Sequence, residues 1–254
     1  MLLVIDIGNT NITLGVFDND KIVQSWRLAT SINRTEDEYG VFLKNLLKEN
    51  DLDKKITNAI ICSVVVQLTE KIEIALKKYL KLNSFIITHK IKTNVVLKTN
   101  NPSQIGADRI ANAAAASKLY SCPAIVVDFG TATSFDIVDK NNEFIGGIIT
   151  AGMKIQAEAL SNKTSKLPKL NIETPTHTIG RNTIEAMLSG IVKGHATMID
   201  GLITECEKEL GQKATIIATG GYSSVICNLL NRKFDHINPD LTLIGSKILF
   251  DLNS

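Results

Sequence analysis

The sequence predicts an α/β protein of two related domains, each a mixed sheet flanked by helices. Three observations carry that expectation. A strand, turn, strand, turn, strand unit near the N-terminus has a second copy near the midpoint, and helical and strand signals alternate after each copy. The 254 residues also suffice for two units of about 100 to 150 residues, each with its own core.

The first copy is LVIDIGNTNITLGVFDND, Leu3 to Asp20, and the second is IVVDFGTATSFDIVDKNN, Ile125 to Asn142. Asp6 aligns with Asp128, Gly8 with Gly130 and Asn19 with Asn141, always 122 residues apart. In each copy an apolar strand ends in Asp-x-Gly, hydroxyl or amide side chains follow, and a second apolar strand begins. An Asn/Asp turn then leads to a third strand, KIVQSWRL from Lys21 or EFIGGIIT from Glu143.

After the first copy, Thr35 and Glu38 have capping-box spacing ahead of YGVFLKNLLKEN. NAIICSVV reads as a strand, Ile72, Leu76, Tyr79 and Leu80 as a helix face, SFIIT as a strand, and Arg109 to Leu119 as an Ala-rich helix. After the second copy, helices are predicted at Thr183 to Gly194, Thr197 to Leu210 and Ser223 to Leu230, with the strand ATIIATGG before the last. The expected domains are 1–117 and 118–254.

Composition excludes several classes. A formal charge of +2, from 28 basic and 26 acidic residues, does not mark a nucleic-acid or membrane surface. The N-terminus resembles a buried strand rather than a signal peptide, and no apolar run approaches the roughly 20 residues that span a bilayer. Cys62, Cys122, Cys206 and Cys227 form no C-x-x-C pair and read as small core residues of a cytoplasmic protein.

A turn of Gly, Asn and Thr presents several backbone N–H groups together, which holds phosphate oxygens without a large positive charge. A carboxylate at the strand end suits a hydrated Mg²⁺ that bridges phosphates. Each Asp-Gly turn also reads as an ordinary tight turn; the repetition favours phosphate. No G-x-x-x-x-G-K-[ST] or G-x-G-x-x-G stands in the chain. The Thr-Gly-Gly of Thr219 to Gly221 reads either as a helix start or as a place where a flat purine approaches the backbone.

With DIGNT at Asp6, DFGTA at Asp128, GADR at Gly106 to Arg109, GGIITAGM at Gly146, IGRNTIEAMLSG at Ile179 and the TGG turn, the chain resembles the type III pantothenate kinases. These belong to the acetate and sugar kinase, Hsp70 and actin superfamily. The resemblance implies two ribonuclease H-like (actin-like ATPase) domains with a central nucleotide cleft, and ATP-dependent phosphorylation of pantothenate in coenzyme A synthesis. It implies Mg²⁺, a monovalent cation (K⁺ or NH₄⁺) and a homodimer, with no nucleic-acid or membrane partner.

By that resemblance Asp6, Ile7, Gly8, Asn9, Thr10, Asn11, Ile12 and Thr13 form the first ATP loop, with Asp6 near Mg²⁺. Thr131 belongs to the facing loop, and Asp128 is the monovalent-cation ligand. Gly106, Ala107, Asp108 and Arg109 bind pantothenate, with Asp108 the general base, and Thr183 is a further substrate contact. Read locally, Asp108 is the N-cap of the following helix. The chain departs from the family at Thr99, where members commonly carry Tyr. Another small-molecule kinase of the superfamily, or a non-catalytic regulatory protein on its fold, are the competing readings.

Overall fold

The computed structural model describes all residues from Met1 to Ser254. The chain forms two compact units, one of Met1–Lys118 with Leu241–Ser254 and one of Leu119–Asp240.

The first unit contains β1 (Leu2–Ile7), β2 (Asn11–Asp18), β3 (Lys21–Ala29), α1 (Glu36–Glu49), β4 (Asn58–Ser63), α2 (Val66–Ala75), β5 (Ser84–Ile86), β6 (Val96–Leu97) and α3 (Ala107–Leu119). A π-helical turn, Leu76–Leu80, carries α2 onward. The sheet order is β3-β2-β1-β4-β5, with β1 antiparallel to β2 and parallel to β4. As the central strand, β1 is apolar on both faces. Leu3, Ile5 and Ile7 join Leu43, Leu47, Leu68 and Ile72 of α1 and α2, while Leu2 and Val4 join Ile110, Ala111 and Ala114 of α3. The predicted capping box forms at α1: the Thr35 side chain accepts the Glu38 N–H at 3.2 Å, and Glu38 Oε2 accepts the Thr35 N–H at 2.8 Å.

The second unit contains β7 (Ala124–Phe129), β8 (Ala132–Val138), β9 (Glu143–Ala151), α4 (Met153–Lys163), α5 (Thr183–Leu188), α6 (Gly194–Leu210), β10 (Thr215–Thr219), α7 (Ser223–Ile226) and β11 (His236–Ile237). Its strands follow the same path, β9-β8-β7-β10-β11, with β7 antiparallel to β8 and parallel to β10. The sequence repeat is thus a repeat of topology. Ile125, Val127 and Phe129 of β7 pack with Met187, Ile191, Ile199 and Ile203 of the helical layer.

The strand partners correct the repeat in detail. Asp6 lies opposite Thr13, but Asp128 lies opposite Ser134, so the second Asp-Gly turn is one residue shorter than the first. The next hairpin is correspondingly longer. Asn19 takes a left-handed conformation (φ 52°), but in the second copy Asn142 does so (φ 59°), not the Asn141 that constant spacing picks out.

Three further expectations change. The helices predicted at 183–194 and 197–210 form one continuous run, because Ser189–Lys193 is a π-helical turn and Gly194 keeps helical angles (φ −60°, ψ −42°). The helix predicted from Ser223 to Leu230 ends at Ile226. The last segment, α8 (Leu241–Asp251), places Leu243 and Leu249 in the core of the first unit, so 118–254 is not one structural body. No helix is long and apolar enough to cross a membrane, and all four cysteines are free.

Candidate functional site

In the first unit, β1 carries its buried apolar residues up to Asp6, which is half-buried where the strand ends. The turn beyond it closes through the Gly8 N–H, which donates to Asn11 O at 2.9 Å. Thr30, just past β3, pins it: its hydroxyl donates to Gly8 O at 2.7 Å and its N–H to Thr10 O at 3.0 Å. With the Gly8 carbonyl held by Thr30, the trans peptide directs the Asn9 N–H the opposite way, and Asn9 is exposed. Ile7 and Ile12 are buried, at 0% and 1% exposure, so of the loop residues named from the sequence these two offer a ligand only backbone atoms.

The GADR segment is built from a capped turn. Asn101 Oδ1 accepts from the Ser103 N–H at 3.3 Å and the Ser103 hydroxyl at 2.6 Å, and Pro102 starts a 3₁₀ turn. The Gly106 carbonyl then accepts the Ile110 N–H at 3.1 Å, which makes Gly106 the entry to α3. Asp108 is therefore inside the first helical turn rather than at the N-cap, and its Oδ1 accepts the Arg109 N–H at 2.8 Å. Burial raises the Asp108 pKa above its ordinary value, against the lowering effect of the Arg109 N–H and guanidinium.

Cys62 joins these two segments. It is the parallel partner of Asp6 in the sheet and is fully buried. Burial pushes its thiol pKa well up, and the charges of Asp6 and Asp108 push it further. The Ser246 hydroxyl of α8 draws that pKa down, while the Asp6 carboxylate acts in the same direction as burial. Asp6 and Asp108 thus both bear on one side chain, which packs with Ala107 and Ile110 of α3. The buried Oγ1 of Thr99 has no protein partner.

The second unit carries Asp128 at the end of β7 and Thr131 in the turn beyond. Two glycines outside that turn shape it. Gly152 donates its N–H to Thr131 O at 3.2 Å, and a Cβ on Gly152 would lie 2.3 Å from that oxygen. Gly220 has φ +86°, and a Cβ there would lie 2.4 Å from Asp128 Oδ1 and 2.6 Å from Phe129 N. The Thr-Gly-Gly turn is therefore packed on the Asp128 strand end, with Tyr222 N–H donating to Phe129 O at 3.2 Å. Within this unit a cavity of about 480 Å³ is lined by Lys154, Glu158, Asn162, Lys169, Asn171 and Tyr222 among others.

Thr183 is the exposed first residue of α5, after Asn182, whose side chain accepts the Glu185 N–H at 2.9 Å. In the first unit the structure brings Asp6 and Asp108 to bear on the same Cys62; in the second it brings Asp128 and Thr131 together with Gly152 and Gly220. Sequence reasoning missed Thr30 and Cys62, which act through strand pairing, and Gly152, whose motif GGIITAGM was visible but whose contact was not.

Residues 2–205 match the family model for type III pantothenate kinase. The type III pantothenate kinase of Dehalococcoides mccartyi strain CBDB1 is 42% identical over 253 residues, 99% of this chain and 96% of that protein. That of Exiguobacterium sibiricum is 43% identical over 254 residues, the whole of both chains. Among solved structures, a Campylobacter jejuni protein assigned to the Baf family of transcriptional activators superposes with a TM-score of 0.62 at 20% identity, covering 98% of this chain and 97% of that one. The activator of 2-hydroxyisocaproyl-CoA dehydratase from Clostridium difficile, solved with bound ADPNP, gives 0.55 at 13% identity over 98% and 94%. These two support the actin-like ATPase fold, and the full-length identity to the two kinases carries the assignment further: the chain belongs to the type III pantothenate kinase family.

Proposed function

We propose that Asp108 is the general base of this enzyme, with the Asp6 turn and the Thr131 turn holding the phosphates of ATP. The chain is a phosphotransferase that phosphorylates pantothenate with ATP in coenzyme A biosynthesis. The observation that carries the residue roles is the convergence of Asp6 and Asp108 on the buried Cys62. One carboxylate comes from the turn suited to phosphate, the other from the GADR turn.

The transfer follows from those positions. As the pantothenate hydroxyl oxygen bonds to the γ-phosphorus of ATP, the bond from phosphorus to the bridging oxygen breaks and ADP leaves. The hydroxyl proton passes to the Asp108 carboxylate. Burial makes that carboxylate a stronger base than an exposed one. Arg109, the next residue on α3, offers a planar donor fork to the pantothenate carboxylate or to the transferring phosphoryl group. Gly106 and Ala107 line the same turn, and Thr183 is assigned a further substrate contact. Asn9, Thr10, Asn11 and Thr13 supply polar atoms beside the first phosphate position. Positioning and charge neutralisation dominate phosphoryl transfer, which suits turns built mainly of backbone donors.

Asp6 fits a hydrated Mg²⁺, which needs only one or two carboxylates and keeps most of its water; bound there, it would neutralise phosphate charge. Asp128 fits a monovalent cation, since its carboxylate lies against the Gly220 and Phe129 backbone in a cradle that a Cβ would fill. The 480 Å³ cavity beside the Thr-Gly-Gly turn suits the nucleoside, with Tyr222 offering a ring face and Asn162 and Asn171 amide groups. The homodimer belongs to the same proposal: Ile179 and Ile184, 84% and 46% exposed, flank Thr183 with apolar surface that a second copy would cover.

The deciding experiment is pantothenate-dependent ADP release by wild type and Asp108→Asn. The variant is expected to lose about 10²- to 10⁴-fold in kcat with the ATP KM little changed. Near-normal turnover would remove Asp108 from the role of base.

A further inference from the structure

We infer that His195 is a positioning residue for the second phosphate turn, acting through Thr133 and Gln156. The inference rests on the reading of Thr131 as part of the ATP site.

His195, the second residue of α6, is only 2% exposed. Its ring bridges two other elements: Nε2 is 2.9 Å from Thr133 Oγ1 on β8, and Nδ1 is 3.0 Å from Gln156 Nε2 on α4. The hydrogen-bond pattern assigns the tautomer. Gln156 Nε2 also donates to Ala151 O at 2.8 Å, and an amide nitrogen only donates, so Nδ1 is the acceptor. The ring is then neutral, with its proton on Nε2 and donated to Thr133. Burial lowers the His195 pKa, in keeping with a neutral ring.

Both partners lead back to the turn. Thr133 is the second residue of β8, two positions after Thr131 in the turn that leads into that strand. Gln156 is tied by its side chain to Ala151 O and by its N–H to Gly152 O at 3.1 Å, and Gly152 N–H holds Thr131 O at 3.2 Å. Thr131, Thr133, His195, Gln156 and the Ala151–Gly152 link form a closed circuit around the turn.

Comparison of the two copies shows what this circuit replaces. Thr133 lies opposite Phe129 as Ile12 lies opposite Ile7, so the fold itself accepts an apolar residue there. Gly152 follows Ala151, the partner of Ala132, as Thr30 follows Ala29, the partner of Asn11. Thr30 clamps the first turn with its hydroxyl as well as its N–H, whereas Gly152 has only an N–H to offer. The side-chain clamp missing from the second turn is supplied instead through His195. Donors held in place before phosphate arrives need no reorganisation during transfer.

Steady-state kinetics of His195→Phe and Thr133→Val, assayed well below each variant's unfolding midpoint, test this. Both variants are expected to raise the ATP KM by roughly tenfold, about 1.4 kcal/mol, with the pantothenate KM unchanged. His195→Gln, which can still reach Thr133 with a donor, and His195→Asn, which can still accept from Gln156, should each recover part of the loss. An active wild type whose ATP KM is unchanged in both His195→Phe and Thr133→Val, with only the midpoint lowered, overturns the inference alone. A wild type without pantothenate-dependent ADP release overturns the underlying reading of the site.

Discussion

Asp108 shows how one residue serves stability and chemistry in opposite directions. Its pKa is raised in the folded protein, so the folded state binds its proton more tightly than the unfolded chain does. The stabilising contribution is full below the unfolded pKa and is lost as pH rises through the folded pKa. Above the unfolded pKa, ionising the half-buried carboxylate costs the fold stability. Asp108→Asn is therefore expected to raise the thermal midpoint at pH 7 while removing turnover, and calorimetry beside the ADP assay checks both. The acid limb of wild-type kcat should fall above the usual carboxylate range, which a pH profile in excess pantothenate would show. The Asp108 role came from GADR and the family pattern, because local sequence reads as well as a helix cap. The perturbed pKa came only from burial in the fold.

Within single elements, local patterns carried most of the structure. The Thr35 and Glu38 spacing was enough to place the start of α1, because a capping box needs only residues three apart. Thr35→Ala should cost about 1 kcal/mol in urea unfolding, with no change in ATP KM. Element ends were read less well where a break depends on more than residue type. Gly194 suggested a stop, yet it lies in a helical run that buries Met187, Leu188, Ile191 and Val192 on one core. Gly152 looked like one glycine of a motif, but its need for a missing side chain comes from the Thr131 carbonyl packed against it. Gly152→Ala should force that turn to shift, costing about 1 to 3 kcal/mol and weakening ATP binding, as thermal unfolding and nucleotide titration would show.

At the scale of the whole molecule, the return of α8 to the first unit matters most. Leu243 and Leu249 complete the sheet face lined by α3, Thr242 donates its hydroxyl to Asn112 Oδ1 at 2.9 Å, and Ser246 reaches Cys62. The Ala-rich face of α3, with Ala111 and Ala114 fully buried, fits a helix packed close against it. A chain ending at Asp240 should therefore lose the first unit's cooperative unfolding rather than merely shed a tail, and proteolysis should cut it throughout 1–118. The repeat, the two sheets and the Asp-Gly turns were determined by sequence alone, because period-two burial, turn residues and a 122-residue echo are local or self-referential signals. Three features were decided only by the tertiary structure: the unit that α8 completes, the meeting of Asp6, Asp108 and Ser246 at Cys62, and the His195 circuit. Each depends on which apolar face a distant segment covers and which buried polar atoms must then find partners, and neither is written in the spacing of neighbouring residues.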